Sequence, residues 1–304
     1  DDVDYYPENY LERLAREGVN GLWLTIEFRD FSKELTGDWP TGAAKRLEKL
    51  RRTVAKCAQY GIRIWLFTIE PIEQDFRKSP LALRHPDWIG CTYDDLMGTM
   101  CASQPGVQTY ISNTVRDIFT AVPGLGGLIN ISNGERVTSC LSVCKLTDHP
   151  CLTYCPRCRD VPAEELLHRV NRAFVKGLRD AGSDAEFISW IYKSAPAVSL
   201  PAWVVAAAGT APDGVIQQDN FETGVIADQE GRTSNARGLM SSIPTFERTW
   251  TFAKGSNATR TKSEVGTNHF GEHCPRSASN IIPATQMQRK KRRPSFANED
   301  ISHW

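Results

Sequence analysis

Short apolar runs alternate along the first two thirds of the chain with longer stretches whose apolar positions recur every three or four residues. Pro7–Glu17 carries such a helical spacing and stops at Gly18. Residues 41–57 form a stronger one, in which Leu47, Leu50, Val54 and Cys57 share a face and charges cover the other. Further helices are predicted over 106–120 and from Pro162, where Glu164 and Glu165 suit the first turn. Between them lie runs apolar on both faces, at 21–28, 62–69, 127–132, 186–192 and 214–220. Such strands, alternating with helices and without an Asn-Gly hairpin signal, belong to a parallel sheet. The predicted fold class is α/β, a (β/α)8 TIM-type barrel.

The pattern stops near Ser234. The expected organisation is a partial barrel over 1–233, interrupted by a cysteine-rich loop at 136–160, and a polar, basic tail over 234–304. The first strand and the last βα units are expected to be missing or degenerate, so the chain reads as a fragment. The tail, with Arg289-Lys-Lys-Arg-Arg293, reads as disordered by composition, as the product of a shifted reading frame, or as a basic localisation or nucleic-acid segment.

Charge narrows the partners. The 36 basic and 36 acidic residues among 304 balance, which argues against nucleic acid as the partner. No apolar run approaches the roughly 20 residues that span a bilayer, so no membrane partner is expected. The absence of a visible signal peptide and the crowding of thiols lean towards the cytoplasm without fixing the compartment.

Three of the strands end on an acid: Glu27, Glu70 and Glu135. Chemistry in parallel α/β sheets gathers at the carboxyl ends of the strands, so these three are the candidate catalytic residues. A partly desolvated carboxyl there has a raised pKa and can protonate a leaving oxygen. Glu135, flanked by small residues, is the candidate acid/base, and Glu70 or Glu27 the assisting carboxylate. Glycosidases place such pairs about 5 Å apart for retention and wider for inversion. Candidate substrate ligands are Arg29, Asp30, Asn130, Asn133, Asp219, Asn220 and Glu222. Trp88 and Tyr192 are candidate stacking faces, whereas Trp65 and Trp190, inside strands, are expected in the core.

Gly126-Gly-Leu-Ile-Asn-Ile-Ser-Asn-Gly-Glu135, after Pro123-Gly-Leu-Gly, resembles the fourth-strand region of barrel glycoside hydrolases related to the family 20 β-N-acetylhexosaminidases. The stretch Tyr5-Tyr-Pro-Glu-Asn-Tyr-Leu-Glu-Arg-Leu-Ala-Arg-Glu-Gly-Val-Asn-Gly-Leu-Trp-Leu24 is similar to their first helix and second strand. The resemblance covers residues 1 to about 230 and implies hydrolysis of O-glycosidic bonds with Glu135 as acid/base. The family's motif has an aspartate directly before that glutamate; here Asn133 and Gly134 stand there.

Nine cysteines are many for this length. Cys155-Pro-Arg-Cys158 is a C-x2-C knuckle, and Cys140, Cys144, Cys151 or His149 would complete a set of four ligands for structural zinc. Free thiols and disulfides remain the alternatives. No cofactor is expected for catalysis. A non-catalytic carbohydrate-binding protein on a degenerate barrel is the second functional class, and a nucleic-acid or protein-interaction module using the cysteine loop and tail is the third.

Overall fold

A computed structural model describes residues 4–134, 136–144, 151–192, 202–220, 226–229, 232–235, 263–266 and 296–297. In chain order its elements begin α1 (Glu8–Arg16), β1 (Gly21–Thr25), α2 (Ala43–Ala58), β2 (Arg63–Thr68), β3 (Gln74–Asp75), α3 (Pro80–Arg84), β4 (Ile89–Thr92) and β5 (Met97–Met100). There follow α4 (Pro105–Ala121), β6 (Gly127–Asn133), α5 (Cys140–Cys144), α6 (Ala163–Asp180), β7 (Glu186–Ile191), α7 (Ala202–Gly209) and β8 (Val215–Asn220). Short strands β9 (Ile226–Gln229), β10 (Arg232–Asn235), β11 (Ser263–Gly266) and β12 (Phe296–Ala297) complete the series.

Seven strands make one sheet in the order β11-β8-β7-β6-β2-β1-β12, every neighbouring pair parallel. With helices crossing between successive strands, this is the sheet of a partial (β/α)8 barrel. β11 and β12 come from the stretch in which the sequence predicts no strand. At four and two residues they join through backbone pairing and carry no apolar run long enough to announce them. The 72–104 connection also differs from expectation. Instead of an irregular loop it holds α3 and a small antiparallel sheet in the order β3-β5-β4.

Strand side chains alternate between two faces, and the two faces here pack differently. Ile64, Leu66, Leu128, Phe187 and Val215 join the helices in the main core, against Leu47, Leu50 and Val54 of α2, Val115 and Ile118 of α4, and Phe174 of α6. Trp65, Ile129, Ile188 and Ile216 form a second cluster on the barrel side, with Trp23, Phe67 and Trp190 packed against it. Two glycines set this geometry. A Cβ on Gly127 would stand 2.2 Å from the Trp65 ring, so only glycine lets that indole lie across the start of β6. A Cβ on Gly177 would meet the Ser112 carbonyl and Val115 at 2.6 Å, so α6 and α4 approach through a bare backbone.

Candidate active site at the carboxyl rim

The helix-facing side of the sheet turns polar where the strands end. Thr68, Asn130, Ser189 and Gln217 stand in register on β2, β6, β7 and β8, continuing the parity of Ile64, Leu128, Phe187 and Val215. All four are buried. Gln217 Nε2 donates to the Ser189 carbonyl at 2.8 Å, and the Ser132 and Ser189 hydroxyls lie 2.8 Å apart. Polar strand ends inside a protein need such partners, and this row supplies the floor beneath the rim.

Glu70 is anchored to it. Its backbone N–H donates to Asn130 Oδ1 at 2.7 Å, and Asn130 Nδ2 donates back to the Glu70 carbonyl at 2.8 Å. The carboxylate accepts from the backbone N–H of Phe28 at 2.9 Å on Oε1 and of Ile72 at 3.0 Å on Oε2. Burial pushes its pKa up to about 7, against those two hydrogen bonds; Glu27 adds to the rise and Arg136 opposes it. Only 4 % exposed and bonded at both oxygens, Glu70 ties the turns after β1 and β2 together. The sequence expects an assisting catalytic carboxylate here; in the structure its side chain is turned into protein by these two backbone donors rather than towards the rim opening. The same holds for Asn130, fully buried and committed to Glu70 and Ser132 rather than to a substrate hydroxyl.

Glu27, which follows β1, is half-exposed and pairs with Arg29 at 2.5 Å. Asp30 pairs instead with Arg46 at 3.6 Å. Trp88 is not a stacking platform. It is buried, stacks on His85 with ring centroids 3.9 Å apart, and lies against Tyr110; a Cβ on Gly106 would strike its indole. Asn133 ends β6 buried, its Oδ1 accepting from Ser142 at 3.4 Å and its carbonyl accepting from the N–H of Tyr192 at 2.9 Å. Glu135 and Glu222 lie outside the described residues, as do the side chains of Asp219 and Asn220.

Three further rim residues join these. Arg136 pairs with Glu73 at 3.7 Å. Tyr93 lies near them, its hydroxyl pushed up to about 12 by burial and then by Glu73 and Asp94. The signal for Glu73 was its place three residues beyond Glu70 in a rim loop, which acid-at-strand-end reasoning does not weigh.

On the barrel side an aromatic surface leads to this rim. Trp23 meets Phe67 at 4.8 Å and stacks on Trp190 at 6.0 Å; Trp190 meets Tyr192 edge-on at 5.4 Å. Trp23, Phe67, Trp190 and Tyr192 are all only half-buried, unlike Trp65 beneath them. Trp190 therefore departs from its expected core position. Gly134 lies beside Tyr192, where an added Cβ would be 3.7 Å from that residue's Cβ.

A separate cluster lies behind the rim. The Sγ atoms of Cys101, Cys140, Cys155 and Cys158, all buried and free, lie within 4.8 Å of one another. Cys101, directly after β5, was not among the expected ligands. Cys151 is free and outside the cluster, Cys91 is disulfide-bonded, and the side chain of Cys144 and His149 lie outside the described residues. Hydrogen bonds from Cys140, Cys155, Cys158 and Arg157 hold the Cys101 thiol well below its usual pKa. Four buried sulfurs this close can bind a metal. Among the described residues no helix is long and apolar enough to cross a membrane.

No protein-family model and no curated protein matches the chain. Solved structures do. An O-GlcNAc hydrolase from Thermobaculum terrenum, in a mutant form, superposes over 86% of this chain and 43% of its own, with a TM-score of 0.51 at 9% identity. A β-glucosidase from Thermotoga maritima, in complex with noeuromycin, covers 86% of this chain and 65% of its own, with a TM-score of 0.47 at 11% identity. The virulence factor SghA from Agrobacterium tumefaciens covers 88% and 68%, with a TM-score of 0.46 at 13% identity. The chain thus spans less than two thirds of the first two. At these identities the first likeness is one of fold: the chain has the partial (β/α)8 barrel architecture found among glycoside hydrolases.

Proposed function

We propose that the chain is a glycoside hydrolase acting on O-glycosidic bonds at the carboxyl rim of its barrel. The observation that carries this reading is the half-buried row Trp23, Phe67, Trp190 and Tyr192 running to the end of β6. Concave sites with aromatic walls and a few placed polar groups are where small ligands bind, and pyranose rings offer apolar faces to such walls. Glu135, between the described Gly134 and Arg136, is the proposed acid/base. With Glu70 turned inwards, Glu27 is the proposed assisting carboxylate and Glu73 a further rim acid. Arg29 and Asp30 would bind sugar hydroxyls, as would Asp219, Asn220 and Glu222.

The narrower family 20 reading needs an acid directly before the acid/base to orient an acetamido group. Asn133 and Gly134 stand there, and the Asn133 amide is buried against Ser142. The proposal therefore stops at O-glycosides and does not extend to N-acetyl sugars. Hydrolysis of a panel of aryl glycosides by the wild type and Glu135→Gln tests it. General acid catalysis contributes about 10²–10⁴-fold, so a fall in kcat of at least a hundredfold is expected. A loss below about tenfold removes Glu135 from the role. Oligosaccharide binding without turnover in the wild type would favour the non-catalytic alternative, for which the same aromatic row is the supporting observation.

A further inference from the structure

We propose that Cys101, Cys140, Cys155 and Cys158 are the four ligands of a structural zinc ion that clamps the loop after β2 to the loop after β6. Tetrahedral zinc holds thiolates at about 2.3 Å, which places sulfurs about 3.8 Å apart. Cys101 Sγ lies 3.6 Å from both Cys155 Sγ and Cys158 Sγ. A disulfide would need about 2.05 Å, and all four are free.

The surroundings are arranged to donate hydrogen bonds to sulfur. Thr99 Oγ1 accepts from the Cys91 N–H at 2.9 Å, which leaves its own proton for Cys140 Sγ at 3.2 Å. Ser103 Oγ accepts from Arg169 Nη1 at 2.6 Å, which leaves its proton for Cys158 Sγ at 3.0 Å. Arg157 Nε donates to Cys101 Sγ at 3.3 Å, while its Nη2 is fixed on the carbonyls of Asp87 at 2.9 Å and Ile89 at 3.0 Å. Three of four sulfurs thus face oriented donors. Such donors suit thiolates, the form that binds metal, and outer contacts of this kind orient and tune metal ligands. A divalent cation held by the four as thiolates would offset, with the Arg157 guanidinium, most of the charge they would carry. All four positions are filled by protein, so the site is structural and leaves no opening for substrate.

The clamp has a place in the architecture. Cys101 directly follows β5, Cys140 opens α5, and the C-x2-C knuckle precedes α6. Ser142 of α5 reaches Asn133 at the end of β6, and Val137 accepts from the N–H of Glu73 at 3.2 Å. The ion therefore braces the wall on which Glu73 and Arg136 stand.

The test is elemental analysis of the full chain purified under reducing conditions, with zinc as the only added metal. About one zinc per chain is expected, retained through gel filtration and released by a thiol-specific mercurial. Cys101→Ser and Cys158→Ser should each lower bound zinc at least tenfold, whereas Cys151→Ser and Cys57→Ser keep it. Should the ligand variants fail to fold, cobalt substitution of the wild type decides: an intense tetrahedral thiolate–cobalt spectrum supports the site, and a weak octahedral one overturns it. Chains purified without zinc that fail to take it up, zinc lost in Cys151→Ser but kept in Cys101→Ser, or iron bound in its place would each overturn the assignment. None of these readouts depends on glycosidase activity.

Discussion

The two faces of the barrel sheet are built from the same strands and serve opposite ends. Towards the helices, Ile64, Leu66, Leu128 and Phe187 are closed off completely, and the polar residue Asn130 on β6 is buried and hydrogen-bonded to Glu70. Towards the barrel, Trp65, Ile129 and Ile188 are equally buried, but Trp23, Phe67 and Trp190 above them keep part of their rings open. A face that must hold the fold is saturated with contacts. A face that must receive a ligand leaves apolar surface unfinished, which is costly unless something covers it. The contrast places the stability of the fold on one face and, on the reading proposed above, recognition on the other.

The largest expected effect lies on the closed face. Phe187 is fully buried and stacks on Phe174 with centroids 4.9 Å apart. Phe187→Ala should cost about 3–5 kcal/mol in urea denaturation, with little change in sugar affinity once folded. A loss below about 1 kcal/mol would break the comparison.

Glu70 gives the next effect, through pH. Its folded pKa, about 7, stands above the unfolded value of 4.5. The folded state then binds more protons than the unfolded one between those values, so stability is highest below about pH 4.5 and falls as pH rises to about 7. The full fall is on the order of 3 kcal/mol, with no further contribution above that range. Glu70→Gln should flatten this slope while lowering stability at acid pH, because an amide NH2 would face a backbone donor. Melting temperature against pH for both proteins measures it; parallel curves would show that Glu70 does not carry the buried proton.

The closed face was also the legible one. Leu47, Leu50, Val54 and Cys57 are buried as the helical spacing predicts; four of the parallel strands match the predicted runs to within one residue at either end, and the fifth, Gly21–Thr25, ends three residues early. Local periodicity suffices there, because each residue's burial follows from its own position in a helix or strand. The small β3-β5-β4 sheet was not legible, since its strands are short and depend on pairing across a loop. Nor was Cys101, whose partners Cys155 and Cys158 lie 54 and 57 residues away, beyond any spacing motif. At the site, acid-at-strand-end logic placed Glu27 and Glu70 at the rim but not their direction. The chemistry that turns Glu70 inwards is two backbone N–H groups, Phe28 and Ile72, that no side-chain pattern reveals.

On the open face, Trp190→Ala should separate recognition from stability. Trp190 contacts Trp23 and Tyr192 but is incompletely covered, so its loss should cost about 1–2 kcal/mol of stability. Calorimetric titration with an oligosaccharide that the wild type binds should show about a tenfold weaker affinity, since a ring contact of this kind is worth about 1 kcal/mol or more. Equal losses at Trp190 and Phe187 in denaturation, with unchanged binding, would show that both faces are merely core.

The smallest effect belongs to the exposed pair at the rim. Arg29 is 78% and Glu27 36% exposed, and such pairs contribute about 0–1 kcal/mol because water and salt already satisfy both charges. Arg29→Ala should therefore shift urea stability by no more than about 0.5 kcal/mol. If Glu27 assists the reaction, the same substitution frees its carboxylate and removes a sugar contact, so kcat/KM should change while stability does not. A variant as active as the wild type would leave Glu27 and Arg29 as a surface ion pair and shift the assisting role towards Glu73, which at 14% is less exposed than Glu27.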